Sequence, residues 1–90
     1  MNNNFKKSDL KNGMVVEFNT GERRLLWNDR LIDDIGFIWL ENIKEDKYGN
    51  LKHIANINNE VINSVYETHD IGSINDFFKD EHLTLIWKRC

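Results

Sequence analysis

The chain has 90 residues, a formal net charge of −3, 40% apolar residues and 30% charged residues. A chain of this length supports one hydrophobic core, so we expect a single domain over residues 1–90, and the ordinary balance of residues argues against disorder. The weak negative charge, spread without basic runs, disfavours duplex DNA as a partner.

The sequence carries no pattern for targeting to a membrane. Its longest apolar runs, such as 37–40, are far below the roughly 20 residues that span a bilayer. The opening residues, 1–7, have no apolar stretch behind their charges, which predicts no signal peptide. The single cysteine, Cys90, cannot form an internal disulfide, which agrees with a reducing compartment. We therefore expect a cytoplasmic protein.

The first half of the sequence predicts four short strands joined by tight turns. Asn12-Gly13 favours a left-handed turn, and the five residues after it alternate in a way typical of a strand. Asn19-Thr20-Gly21 is a hairpin signal, and Asn28-Asp29 forms the next turn. The predicted strands are 14–18, 22–27, 30–33 and 37–40.

The second half predicts a long polar excursion, two further strands and a short helix. Residues 41–59 are polar, with a marginal hairpin around Gly49, and form a candidate binding loop. Strands are predicted at 61–67 and 82–88, and a capping box at Ser73 predicts a helix over 74–79. The pattern indicates a mainly β, SH3-like barrel of five or six strands, with one short helical turn before the last strand. An OB-like barrel is the nearest alternative.

The residues that usually perform catalysis or hold metals are scattered. His53, His69 and His82 are isolated and there is one cysteine, so we expect no metal site. His69-Asp70 has no activated serine or cysteine motif beside it, and the glycines do not form a phosphate-binding loop. We therefore expect no cofactor and a protein that is not an enzyme.

A cluster of arginines around Trp27 is the most suggestive feature for ligand binding. Guanidinium groups near an indole suit phosphate and base recognition, and alternation places Arg23 on the face of Trp27. A competing interpretation puts Trp27 in the core and pairs the arginines with Glu17 or Glu22 across the hairpin. Further along the chain, Trp39 shares a face with Phe37, Tyr48 is the aromatic residue expected to be most exposed, and alternation of Leu83, Leu85 and Trp87 predicts that Trp87 is in the core. The candidate ligand-binding residues are Arg23, Arg24, Trp27, Arg30, Trp39 and Tyr48.

Segments near both ends of the chain are similar to segments of a known group of proteins. Residues 8–17, followed by Gly21-Glu22-Arg23, and the closing 83–89 resemble small phage and prophage proteins of Firmicutes, in which a similar opening leads into an SH3-like barrel. The resemblance implies an accessory protein that acts against host defence in the bacterial cytoplasm. Such proteins include anti-CRISPR proteins and sponges that sequester nucleotide immune signals.

Two kinds of function follow as hypotheses. The first is an oligomeric sponge that binds a cyclic nucleotide or ADP-ribose-like signal, with a homo-oligomer expected because a chain this small has few deep pockets of its own. The second is a direct inhibitor that docks on a host defence enzyme through a strand edge or the 41–59 segment. A nucleotide-degrading enzyme is the least favoured, because no catalytic constellation is present in the sequence.

Overall fold

The computed structural model describes residues 5–54, 60–68 and 79–89 of the chain. Within these residues the protein is mainly β, as the sequence predicts. The described residues form eight strands in chain order, and their only helical elements are short 3-10 turns, one of which, Asp80–His82, directly precedes the last strand. The strands are β1 (Met14–Phe18), β2 (Arg23–Trp27), β3 (Arg30–Ile32), β4 (Phe37–Trp39), β5 (Ile43–Glu45), β6 (Leu51–His53), β7 (Ile62–Thr68) and β8 (Leu83–Lys88).

Six of the strands form one antiparallel sheet. Their spatial order is β4, β3, β2, β1, β7, β8, so the four strands of the first half make a meander and the two late strands extend it. The sheet therefore ends at β4 on one side and at β8 on the other, and in the described residues no ladder joins these two strands. The remaining two strands, β5 and β6, form a separate hairpin.

The connection between β2 and β3 is a two-residue turn. Asn28 and Asp29 have φ angles of 49° and 63°, the left-handed region that a primed hairpin turn requires at both positions. The backbone N–H of Asn28 donates to the Asn12 side chain at 3.0 Å. This turn fixes the register of the two strands, so that Trp27 lies directly opposite Arg30.

The ladder between β3 and β4 is bracketed by two backbone hydrogen bonds. The N–H of Asp33 donates to the carbonyl of Gly36 at 2.9 Å, and the N–H of Leu40 donates to the carbonyl of Asp29 at 2.8 Å. Antiparallel pairs alternate between hydrogen-bonded and non-hydrogen-bonded types. The central pair, Leu31 with Ile38, is therefore hydrogen-bonded. The pairs on either side of it, Arg30 with Trp39 and Ile32 with Phe37, are non-hydrogen-bonded.

The main core lies between one face of the large sheet and the β5–β6 hairpin, and a smaller cluster of Val15, Leu25, Tyr66 and Leu83 packs on the opposite face. Phe18, Leu26 and Leu31 of the sheet are almost fully buried, and so are Ile43 and Leu51 of the hairpin, which belong to the same cluster. The hairpin is attached to the large sheet by a backbone hydrogen bond from His53 N–H to the Glu60 carbonyl and by a bridge between Lys52 and Val61. We call the covered side of the large sheet the inner face and the other side the outer face.

The hairpin at β5 and β6 confirms the prediction of a turn around Gly49. One Asp46 carboxylate oxygen accepts the backbone N–H groups of Tyr48 and Asn50, each at 2.9 Å, and Gly49 has a φ of 82°. Burial acts to raise the pKa of Asp46, but the hydrogen bonds from Asn50 and Tyr48 outweigh it and lower that pKa. Residues 55–59 of the predicted excursion lie outside the described residues, as does the predicted helix apart from Lys79.

The last strand departs from the simple alternation of its sequence. Trp87 lies opposite Val65 and Leu85 lies opposite Tyr66, so β8 carries one extra residue, Ile86, at a bulge. Trp87 packs against the core cluster, as predicted, and stacks near Phe5 with ring centroids 5.7 Å apart. The prediction that Leu85 shares the face of Trp87 is wrong, because the bulge reverses the alternation, and Leu85 is 49% exposed.

We expect the centre of the inner face to dominate stability. Leu31→Ala removes a fully buried side chain and should lower the free energy of unfolding in urea by about 3 kcal/mol. Leu85→Ala is the matched control, because it deletes the same atoms from an exposed site and should cost less than about 1 kcal/mol. Equal losses for the two variants would contradict the placement of the core.

The turn at Asn28 and Asp29 should tolerate glycine and reject a β-branched residue. Asp29→Val places a branched side chain at a φ of 63° and should destabilise the fold by about 1–2 kcal/mol. Asp29→Gly fits the same backbone and should leave stability within about 0.5 kcal/mol. Thermal unfolding of the two variants checks this, and a valine variant as stable as the glycine variant would rule out the left-handed turn.

Candidate functional site

Four exposed side chains line up across three neighbouring strands on the outer face. Trp27 lies opposite Arg30, and Arg30 lies opposite Trp39 on its other side, so the three side chains point to the same face. Phe37 is two residues before Trp39 and joins them. Trp27, Phe37 and Trp39 are 48%, 46% and 44% exposed. We call this set, Trp27, Arg30, Phe37 and Trp39, the arginine-aromatic face.

The side chains of this face contact one another closely. The Arg30 guanidinium carbon lies 5.2 Å from the centre of the Phe37 ring and 5.3 Å from that of Trp39, which is the geometry of a cation–π contact. Phe37 and Trp39 meet edge to face, with centroids 5.0 Å apart and an interplanar angle of 85°. Because Arg30 and Trp39 form a non-hydrogen-bonded pair, their side chains start closer together than those of the alternate pairs.

Arg30 differs from the other arginines of β2 and β3 in its electrostatic surroundings. Its side chain is exposed, and among residues 5–54, 60–68 and 79–89 no carboxylate lies within ion-pair distance of it. The two aromatic rings hold the guanidinium without neutralising its charge. Arg30 therefore presents a positive charge on an apolar surface.

Arg23 is held by acidic side chains. Its Nε donates to Glu17 at 2.6 Å, its Nη1 contacts Asp80 at 2.7 Å, and its guanidinium lies 5.1 Å from the centre of the Tyr66 ring. Burial acts to lower the pKa of Arg23, but the hydrogen bonds to Glu17 and Asp80 outweigh it and raise that pKa. Arg23 thus connects β2 to β1 and to the turn before β8.

Arg24 points to the inner face and braces the turn between β3 and β4. Its two terminal nitrogens contact Glu22 at 2.8 Å and Asp33 at 3.1 Å. The other oxygen of Asp33 accepts the N–H groups of Ile35 and Gly36, each at 2.9 Å, so the same carboxylate shapes the turn and anchors Arg24. Burial raises the pKa of Glu22, and Arg24 offsets part of this shift.

The structure resolves the two interpretations of the arginine cluster residue by residue. The expectation that the arginines pair with Glu17 or Glu22 is confirmed: Arg23 pairs with Glu17 across the hairpin, whereas Arg24 pairs with Glu22 on its own side of the hairpin. The interpretation of Trp27 as a core residue is wrong, because the two-residue turn places it on the outer face, away from the hairpin that covers the core. The ligand-binding role assigned to each of these residues stays a prediction.

Tyr48 lies away from the arginine-aromatic face. It is 73% exposed at the tip of the β5–β6 hairpin, as expected, with the Lys47 ammonium 5.1 Å from its ring centre. The residue that the sequence analysis omitted from the candidate set is Phe37. The sequence shows that Phe37 and Trp39 alternate onto one face, but the contact of Phe37 with Arg30 depends on the pairing of β3 with β4.

Two recesses lie at the ends of the face. A cavity of about 460 Å³ next to Trp39 is lined by Lys7, Asp29, Leu40 and Glu41 as well. A second cavity, of about 620 Å³, lies at the Trp27 end and is lined by residues of the β1 start and the β7 end, including Met14 and Thr68. Both are wide and shallow, so the face is an open surface and not an enclosed small-molecule pocket.

Comparisons with models of known protein families, with characterised proteins and with solved structures find no match to this chain. The described residues contain no group of three histidine, cysteine or acidic side chains that could hold a metal ion. They also contain no helix long and apolar enough to cross a membrane. The arginine-aromatic face is therefore the feature of the described structure that points to a function.

We expect substitution of Arg24 to lower stability much more than substitution of Arg30. Arg24→Gln leaves the buried Asp33 carboxylate without its partner and should lower the free energy of unfolding by about 3 kcal/mol. Arg30→Gln removes the same charge from an exposed site and should cost about 1 kcal/mol or less. Urea unfolding measures both, and a larger loss for Arg30 than for Arg24 would reverse these assignments.

Proposed function

We propose that this protein is a non-enzymatic binding protein that attaches to another protein through the arginine-aromatic face. The observation that carries the proposal is a group of two tryptophans, a phenylalanine and an arginine, all exposed, on three adjacent strands, and the arginine has no ion-pair partner among the described residues. Tryptophan and arginine are enriched among the residues that contribute most to protein interfaces. Large exposed apolar side chains grouped in one patch are typical of interaction surfaces.

The rigidity of the face supports this proposal. Its side chains come from paired strands, and Arg30, Phe37 and Trp39 are held by ring and cation–π contacts, so these three lose little conformational entropy when a partner binds. Following the resemblance to phage proteins, we propose that the partner is a host defence enzyme and that binding occludes a surface that the enzyme needs. This is the direct-inhibitor hypothesis of the sequence analysis.

Sequestration of a nucleotide signal is the second candidate. Arg30 between two indoles is the observation that favours it, because a base can stack on an exposed aromatic ring and a phosphate can pair with a guanidinium. Arg23 and Arg24, which the hypothesis also uses, already contact carboxylates, and this supports the protein partner over a polyanionic ligand. Calorimetry with cyclic dinucleotides and ADP-ribose tests the second candidate, and binding that Trp39→Ala removes would place it first.

We expect substitutions on the face to remove partner binding without unfolding the protein. Tagged wild-type protein, Trp27→Ala and Trp39→Ala are incubated with a clarified Firmicutes lysate, and the retained proteins are quantified by mass spectrometry. A partner held by the face should fall at least about tenfold with each variant, as expected for a buried aromatic contact.

Ile86→Ala is the control for this experiment, because Ile86 is an exposed apolar residue on the opposite edge strand. It should retain the partner at the wild-type level. If the retained proteins are the same for all variants, or if the Ile86 control loses them equally, the proposed binding face is wrong.

A further inference from the structure

We infer that the face binds its partner by strand addition: edge strand β4 pairs with an extended segment of the partner that carries one carboxylate for Arg30. This inference rests on the proposed function and specifies the chemistry of the partner. Three observations support it: the open backbone groups of β4, the residues that make up this edge strand, and the position of the Arg30 guanidinium.

Within residues 5–54, 60–68 and 79–89, strand β4 has unpaired backbone groups that point out of the sheet. Phe37 and Trp39 form non-hydrogen-bonded pairs with β3, so their amide groups are directed towards the open side. In the described residues the N–H and C=O of Phe37 and the N–H of Trp39 have no backbone partner. An added antiparallel strand would meet these groups, which is the usual mode of recognition by strand addition.

The two edges of the sheet differ in how they are protected. β8 carries a bulge at Ile86 and ends with Lys88, and both features discourage pairing with another chain. β4 has the sequence Phe37-Ile38-Trp39, without a charge, a proline or a bulge. Gly36 precedes it and has open space around the position of a Cβ, so a second chain can approach. The unprotected edge is the one that borders the arginine-aromatic face.

The charge of Arg30 specifies what the added strand carries. Arg30 extends from β3 over the rings of Phe37 and Trp39, and its guanidinium therefore lies towards the open edge. A new strand would lie about 4.8 Å beyond β4, and an outer-face side chain at that point comes within reach of the guanidinium. A carboxylate there would form the ion pair that Arg30 lacks within the described part of the chain. Because the whole chain has a net charge of −3, one carboxylate in an otherwise neutral segment is favoured over a strongly acidic one.

The test begins with a display library of random 12-residue peptides selected on the full chain. Enriched peptides should contain one aspartate or glutamate among alternating apolar and β-branched residues, with no proline next to it. For the tightest peptide, methylating successive backbone nitrogens should weaken binding at every second position, because only alternate N–H groups of an added strand face β4. No enrichment, enrichment without an acidic residue, or indifference to N-methylation would overturn strand addition.

A matched pair of variants separates the backbone contact from the side-chain contact. Trp39→Ala and Trp39→Pro both remove the indole, and Trp39 has a φ of −74° that proline also adopts, so the two differ chiefly in the N–H at the open edge. The proline variant should bind the selected peptide about threefold to tenfold more weakly than the alanine variant, at equal thermal stability. Equal binding by the two variants would overturn strand addition.

A charge exchange tests the role of Arg30. Arg30→Glu should weaken binding of the acidic peptide at least about tenfold. A peptide with lysine at the acidic position should bind the Arg30→Glu variant more tightly than it binds the wild-type chain. Absence of this rescue would overturn the assigned carboxylate. If the chain instead forms a dimer that Trp39→Pro dissociates, the strand that pairs with β4 comes from a second copy of the chain and the inference is wrong.

These results distinguish the inference from the proposed function. If Trp39→Ala weakens peptide binding, but Trp39→Pro and N-methylation of the peptide have no additional effect, the face remains a protein-binding surface and strand addition is wrong. Binding that no substitution on the face alters would contradict both.

Discussion

The arginine-aromatic face depends on one local constraint, the left-handed two-residue turn at Asn28 and Asp29. A side chain changes face whenever the register of a strand moves by one residue. A turn one residue longer would therefore separate Trp27 from Arg30 and turn one of them towards the core. The turn sets the pairing of β2 with β3, and the Asp33 turn sets the pairing of β3 with β4, so two short connections align the whole face.

Three arginines that are close in sequence have different surroundings because of the pleat of the strands. Arg23 and Arg24 are adjacent and therefore point to opposite faces, where each meets carboxylates. Arg24 and Asp33 stabilise the turn that presents Phe37 and Trp39, and this makes a buried ion pair a support for the exposed face. Among the described residues, Arg30 contacts two aromatic rings and no carboxylate.

The part of the outer face formed by Trp27, Phe37 and Trp39 is left exposed, although Val15 and Leu25 on the same face are buried with Tyr66 and Leu83. A small protein has few apolar residues with which to form its core, and tryptophans left in solvent add nothing to that core. Here the inner face is covered by the β5–β6 hairpin, whereas Trp27, Phe37 and Trp39 are each about half exposed. The same three strands also end at an unprotected edge. In the described part of the chain, exposed rings, a charge without an ion pair and open backbone groups therefore occur in one place, which supports the proposed binding surface.

The sequence by itself determined β1 to β4, their turns and which of their neighbouring residues share a face, because alternation and turn residues are local properties. It predicted β1 to β4 within one or two residues, the turn at Gly49 and the ion pairs of Arg23 and Arg24. Only the tertiary structure decided which face meets solvent. Alternation gives two equivalent sides, and the side that becomes the core is chosen by long-range packing of Ile43 and Leu51. For the same reason the position of Trp27, the contact of Arg30 with Phe37 and the bulge in β8 emerge only when distant strands pair.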